Sequence, residues 1–355
     1  MLYGRENCHG GDIYAGDVRL DFSASVSPLG TPKSVIDALT RVLPELYHYP
    51  DPCCRTLVQA IAKVERVPQE RILCGAGASE LIYTYCEAVR PKRAMMLAPT
   101  FSEYAIALQR TGCEIVRHTL AAEQNFDLQE DLLPRLSREG IDALFLCNPN
   151  NPTSSAIFQE ALRKLLTFCS SHDIFVMIDE TYVEFAPEID KITAVPLTRE
   201  FSNLMVLRGV SKFYAAPGMR LGYGITGNMD FLSKMKEKQT PWSLNSLGAY
   251  AGELMLKDQE YIQATRNLIL SEREKLYREL KEIPTYKVYP AYANFILLKI
   301  QKPGLTSFDV FEACIKQGLM IRDCASFQCL EGEFIRFCIM MPEDNARLLN
   351  VLKQL

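Results

Sequence analysis

The sequence carries no surplus of positive charge: 39 Lys and Arg face 43 Asp and Glu, a net charge of -4. Without a net cationic field a chain has little to hold a polyanion, so nucleic acid is not an expected partner. Long apolar runs are absent as well. The longest, such as residues 174–178, are strand-sized and far below the roughly 18 residues of a bilayer span, and the first ten residues lack the apolar centre of a secretion signal. The expectation is a cytoplasmic protein with no membrane contact. Histidine occurs only four times, at widely separated positions, and the 12 cysteines, spread from Cys8 to Cys338, include no C-x-x-C pair. Neither a zinc site nor a disulfide framework fits that spacing. The cysteines read as small buried hydrophobes, and no metal is expected.

What is present is ordinary globular material, 48% hydrophobic and 23% charged over 355 residues, enough for roughly two domains of about 150 residues each. From about residue 70 onward, short apolar runs at 72–74, 94–98, 143–147, 174–178 and 204–207 alternate with amphipathic stretches such as 79–90 and 158–172. Nearly continuous apolar runs predict strands buried on both faces, and the strand-helix repetition predicts right-handed crossovers. The fold class is therefore α/β, with a mostly parallel sheet flanked by helices in a large domain over 43–245. After Pro241 the pattern changes. A long helical segment at 247–282, interrupted near Lys257 and Asp258, a strand at 293–300, a helix near 307–317 and a strand at 333–340 predict a smaller α+β domain over 246–355. Residues 1–42 are expected to form an arm packing with that smaller domain.

Ligands of parallel sheets gather at the carboxyl ends of the strands, and polar residues cluster there in this chain. Gly75-Ala76-Gly77-Ala78-Ser79 follows a strand and opens a helix, where small residues let backbone N–H groups approach an anion. The same stretch also reads as a plain turn capped by Ser79. It is not a dinucleotide fingerprint or a P-loop, because Glu80 stands where the third glycine belongs and no lysine follows. Asp179 closes an apolar run, with Tyr182 three residues on. It suits either a protonated ring nitrogen or a solvated loop. Lys212 lies just past the next strand, in a segment that includes Ser211, Pro217, Gly218, Arg220 and Gly222. A phosphate cradle, a carboxylate for a pyridinium, donors for a phenolic oxygen and a lysine able to form a Schiff base are the parts of a pyridoxal 5′-phosphate site.

The segments 148–153, 178–182 and 211–223, in that order and spacing, resemble those of the fold-type I pyridoxal phosphate enzymes, in particular the class I/II aminotransferase family, over nearly the whole chain. The resemblance implies a cofactor held covalently by Lys212, which then moves protons as a base, and Asp179 against the ring nitrogen. It implies Asn151 and Tyr182 on the phenolic oxygen, Phe101 on the ring face, and Ala76, Gly77, Ala78, Ser211 and Arg220 around the phosphate. Tyr49, in Tyr49-Pro50-Asp51-Pro52, would reach that phosphate from a neighbouring subunit, which implies a homodimer with shared sites. Arg336 would bind a substrate carboxylate as a fork, a geometry lysine cannot reproduce. One position departs from the family, which commonly carries Ser or Thr where this chain has Gly209.

Within the family, His9-Gly10-Gly11, residues 21–24 running to 28–30, residues 49–52 with Arg55, and residues 212–218 are similar to the branch that decarboxylates L-threonine O-3-phosphate in cobalamin biosynthesis. A branch that transaminates histidinol phosphate or a related amino acid is the alternative. Ser25 and Ser27 replace asparagines expected in the first branch. A phosphorylated amino-acid substrate needs cations beyond the cofactor cradle. His9 and Arg322 are the candidates, and each is equally readable as a solvent-exposed surface residue. A non-catalytic binding protein on the same fold is a remote third reading, and the intact set Asp179, Lys212, Arg220 and Arg336 argues against it.

Overall fold

The computed structural model describes residues 9–355 apart from Gly16. A short strand β1 (Leu20–Asp21) precedes a seven-stranded sheet. That sheet comprises β2 (Ile72–Gly75), β3 (Arg93–Ala98), β4 (Glu114–Thr119), β5 (Ala143–Cys147), β6 (Phe175–Asp179), β7 (Leu204–Gly209) and β8 (Gly222–Thr226). Its order is β2-β8-β7-β6-β5-β3-β4. All pairings from β7 through β4 are parallel, and β8 alone runs against the rest. The inner strands of the sheet are largely apolar because helices cover both faces. Along β5, Leu144 and Leu146 enter one core while Ala143, Phe145 and Cys147 enter the other, which is the period of two of a strand expressed twice.

Helices α1 (Lys33–Val42), α2 (Arg55–Glu65), α3 (Ala78–Val89) and α4 (Glu103–Arg110) come first, and the chain later forms the long helix Gln259–Lys281. The N-cap of α3 is Gly77, at φ 89°, rather than Ser79, which lies inside the first turn. Glycine is needed at two places here. A Cβ on Gly77 would stand 2.6 Å from Arg220 Nη2, and one on Gly222 would stand 2.4 Å from the Ala78 nitrogen. The register puts Gly75 beside Gly222 and Gly222 beside Gly209. That row of small residues lets α3 begin directly over the strand ends.

A second, four-stranded antiparallel sheet is ordered β12-β13-β10-β9, from β9 (Tyr286–Val288), β10 (Phe295–Ile300), β12 (Arg322–Asp323) and β13 (Phe334–Cys338). β1 pairs in parallel with β11 (Leu319–Met320). From there residues 22–27 cross to the large sheet. Cys338 N donates to the Phe22 carbonyl at 2.8 Å, and Ser27 N donates to the Lys212 carbonyl at 2.9 Å. The N-terminal segment thus closes the space between the two sheets. No helix among the described residues is long and apolar enough to cross a membrane. Cys8 lies outside the described residues, and the other cysteines are free thiols, most of them buried.

Candidate active site

A cavity of about 300 Å³ opens between the carboxyl ends of the large sheet, the start of α3 and the small sheet. Of the residues singled out in the sequence, His9, Ala78, Phe101, Asn151, Asp179, Tyr182, Ser211, Lys212, Arg220, Arg322 and Arg336 all line it. Ala76, Gly77 and Tyr49 do not. The Ala76 N–H donates to Glu80 Oε2 at 2.5 Å and the Gly77 N–H to the Gly75 carbonyl at 2.8 Å. These two residues therefore shape the turn, and Ala78 and Ser79 are the ones that meet the cavity. Tyr49 is 81% exposed, its ring 5.0 Å from that of Trp242, away from this chain's own cavity.

Asp179 is 4% exposed at the end of β6. Its Oδ1 accepts from the Thr181 N–H at 2.9 Å and the Thr181 hydroxyl at 2.6 Å, and its Oδ2 accepts from Tyr104 at 2.8 Å. Burial raises this carboxyl above its ordinary range, and those hydrogen bonds pull the other way. Among the described residues no basic side chain pairs with it within 4.0 Å. Behind it, Glu180 is gripped by Arg208 Nε at 3.0 Å and the Thr193 hydroxyl at 2.8 Å, which pins the turn that aims Asp179. Removing one partner of such a buried ion pair typically costs about 3–5 kcal/mol.

Lys212 follows β7 and extends its amine into the same space. Nζ donates to the Ala24 carbonyl at 2.7 Å, and no carboxylate among the described residues pairs with it. Enclosure, and then the positive charge of Arg336, lowers the amine to about 8. A half-buried amine without a counter-charge and a buried carboxylate without a cation share one cavity. A group with an amine-reactive carbonyl and a protonated ring nitrogen answers both deficits.

Arg220 lies at the α3 end, its Nη2 3.5 Å from the Ala76 carbonyl. The first-turn amides of α3 have no intrahelical partner, so helix start and guanidinium make an anion cradle. At Gly209 a Cβ would meet nothing closer than 3.8 Å, so the hydroxyl absent from this position leaves open room beside Thr181. At the opposite end stand two arginines. Arg322 and Arg336 are direct partners across β12 and β13, and both are buried, at 7% and 4% exposed. Arg336 donates to the Asn151 side-chain oxygen and, at 2.6 Å, to the Ser23 carbonyl, while its Nε has no hydrogen-bond partner among the described residues. Arg322 donates to the His9 carbonyl at 3.2 Å and to the Ser326 hydroxyl at 2.7 Å. Burial at 7% exposed excludes the solvent-exposed surface reading of Arg322. Like charges directly opposite across a sheet repel. Both guanidiniums belong to one wall of the cavity.

Sequence reading missed Tyr104 and Thr181. The Thr181 contact follows the Asx-turn pattern of an Asp bonding two residues on and was available locally. The Tyr104 contact joins residues 75 apart and had no local signal.

A large mixed sheet flanked by helices beside a smaller antiparallel sheet is the α/β architecture typical of the pyridoxal phosphate aminotransferases. The chain matches the model of aminotransferase class I and II over residues 19–352 and belongs to that family, whose members depend on pyridoxal 5′-phosphate. It is 36% identical to threonine-phosphate decarboxylase of Salmonella typhimurium over 98% of this chain and 96% of the relative. Among solved structures, the histidinol-phosphate aminotransferase from Clostridium acetobutylicum matches with a TM-score of 0.88 and 30% identity, over 94% of this chain and 98% of that one. The L-threonine-O-3-phosphate decarboxylase from Porphyromonas gingivalis matches with a TM-score of 0.84 and 25% identity, over the same shares, 94% and 98%.

Proposed function

We propose that this chain is a pyridoxal 5′-phosphate-dependent carboxy-lyase that converts L-threonine O-3-phosphate to (R)-1-aminopropan-2-yl phosphate and carbon dioxide. The observation that carries this reading is the pair of buried arginines, Arg322 and Arg336, facing the cavity opposite the Arg220 cradle. The cavity has one anion site for a cofactor phosphate and a second cationic wall for a substrate that carries both a carboxylate and a phosphate. Full-length similarity to the Salmonella decarboxylase supports the same choice.

Bound pyridoxal phosphate supplies an aldehyde that captures amines and a protonated ring that accepts the electron pair released at the substrate α-carbon. Lys212 would hold it covalently, and Asp179 would keep the ring nitrogen protonated, with Thr181 and Tyr104 fixing the carboxylate. Asn151 and Tyr182 would meet the phenolic oxygen and Phe101 the ring face. Ala78, Ser79, Ser211 and Arg220 would take the phosphate. Arg336 would grip the substrate α-carboxylate and, with the arm at residues 22–27, orient it for departure as carbon dioxide. The proton that replaces it on the α-carbon would come from Lys212 Nζ. His9 and Arg322 would hold the substrate phosphate. If the α-hydrogen instead occupied the reacting orientation, Lys212 would remove it and transamination would follow; the likeness to the Clostridium aminotransferase favours keeping that second reading.

The chain also reads as a homodimer, with Tyr49 of one protomer entering the cavity of the other. Exposed Ile36, Leu43, Leu46, Tyr47 and Trp242 support a covered surface around it.

The deciding assay is carbon dioxide release from O-phospho-L-threonine without any 2-oxo acid. Release is expected, and strict dependence on an oxo-acid acceptor would overturn the decarboxylase reading in favour of transamination. O-phospho-L-serine, one methyl smaller, should be a weaker substrate by about 10- to 100-fold.

Lys212 also sets a pH dependence. Its neutral amine is the nucleophile, and its value of about 8 lies below the ordinary 10.5. The rate at which apoprotein captures pyridoxal phosphate should climb with pH, by about tenfold per unit below that value, and level off above it. A rate still climbing steeply toward the ordinary lysine value would contradict the depressed amine.

A further inference from the structure

Just outside the cavity wall, a group of side chains converges on His9 that the chemistry above does not use. Glu103 opens α4, where the positive end of the helix favours a carboxylate. Its Oε1 lies 3.0 Å from His9 Nε2, and its Oε2 accepts from the Tyr83 hydroxyl at 2.6 Å. Tyr83 comes from the middle of α3 and is itself held, with the Arg110 guanidinium 4.5 Å from its ring centroid. Burial and the bond to Glu103 push the Tyr83 phenol up to about 12, so it remains a donor under working conditions. On its other side, the His9 carbonyl accepts from Arg322 at 3.2 Å, and the His9 and Phe101 rings are 6.0 Å apart.

The placement is selective. His9 lines the cavity and Glu103 does not, so the carboxylate lies behind the imidazole rather than beside an incoming anion. The His9 side chain is 46% exposed, and an exposed ring left to itself must be ordered each time ligand binds. A tether fixed in advance removes that cost. The bond to Glu103 also assigns the Nε2 hydrogen to the carboxylate and so sets which ring nitrogen is turned elsewhere.

We propose that Glu103, braced by Tyr83, is a positioning residue for substrate phosphate recognition: it holds the His9 imidazole beside Arg322 so that the two meet one phosphate. The proposal rests on the phosphorylated-substrate reading above and deepens it. No covalent step is involved.

The test uses the holoenzyme and its variants Glu103→Gln, Tyr83→Phe and the double variant, with O-phospho-L-threonine as substrate and unphosphorylated L-threonine as competitor. Glu103→Gln should raise KM for O-phospho-L-threonine by about tenfold, the worth of one charge-assisted hydrogen bond, with kcat changed by less than about threefold. Inhibition by L-threonine and the cofactor absorbance should stay as in the wild type. Tyr83→Phe should raise KM by a smaller factor, and the double variant should be no worse than Glu103→Gln, because the two side chains act as one device. An unchanged KM in Glu103→Gln, or equal losses for the phosphorylated and unphosphorylated ligands, would overturn the proposal while leaving the decarboxylase reading standing. A wild-type holoenzyme that neither turns over nor binds O-phospho-L-threonine would overturn both.

Discussion

Lys212→Ala should lose at least about 10³-fold in kcat, because on the proposed reading one substitution removes both the covalent tether and the base that moves the proton at the α-carbon. The fold should survive. Among the described residues Lys212 Nζ makes a single hydrogen bond, to the Ala24 carbonyl, and its amine is held below its ordinary value, so removing it relieves a desolvated group. The variant should therefore purify as a folded protein, and added primary amine should restore a small part of the rate by supplying the missing base from solution. Retention of more than about a tenth of wild-type turnover would remove Lys212 from the chemistry.

Asp179→Asn should cost about 10²-fold or more in kcat, the usual range for deleting one preorganised electrostatic partner from an enclosed site. Asn is nearly isosteric and can still accept from Thr181, so backbone and cavity should be kept while the negative charge is lost. That charge is enclosed and held by Thr181 and Tyr104 in an environment where burial opposes it. A cation on the ligand is what justifies keeping it there. The variant should still take up cofactor through Lys212, with turnover falling far more than cofactor content. Activity within about threefold of wild type would assign Asp179 a structural role only.

The strands of the large sheet that are apolar on both faces could be read from sequence to within a residue or two, and so could the break between the helix Ser246–Met255 and the helix Gln259–Lys281. Two strands of the large sheet escaped. β4 is the sheet edge, with Glu114 and Thr119 exposed at its ends and polar residues between, so it lacks the continuous apolar run of its neighbours. β8 is Gly-Tyr-Gly-Ile-Thr, and its glycines look like a turn until Ala78 is seen resting on Gly222. The site shows the same division. Asp179 and Lys212 were legible because each sits at a strand's carboxyl end, a position topology makes functional. Arg322 and Arg336 could be singled out, but their facing each other across β12 and β13 is a matter of register. The bonds from Tyr104 to Asp179 and from Glu103 to His9 join distant parts of the chain, and no local pattern announces them. The stretch Gly75–Gly77 reads from sequence as either an anion site or a plain turn, and only the structure shows its Ala76 and Gly77 amides committed to Glu80 and to the Gly75 carbonyl.

The most direct measurement is reduction of the pyridoxal phosphate-loaded protein with borohydride, followed by proteolysis and mass spectrometry of the peptides. A phosphopyridoxyl group fixed on the peptide carrying Lys212, with an unmodified peptide recovered from Lys212→Ala, is the expected result. A label distributed over surface lysines, or a protein that takes up no pyridoxal phosphate at all, would contradict the assignment of this cavity.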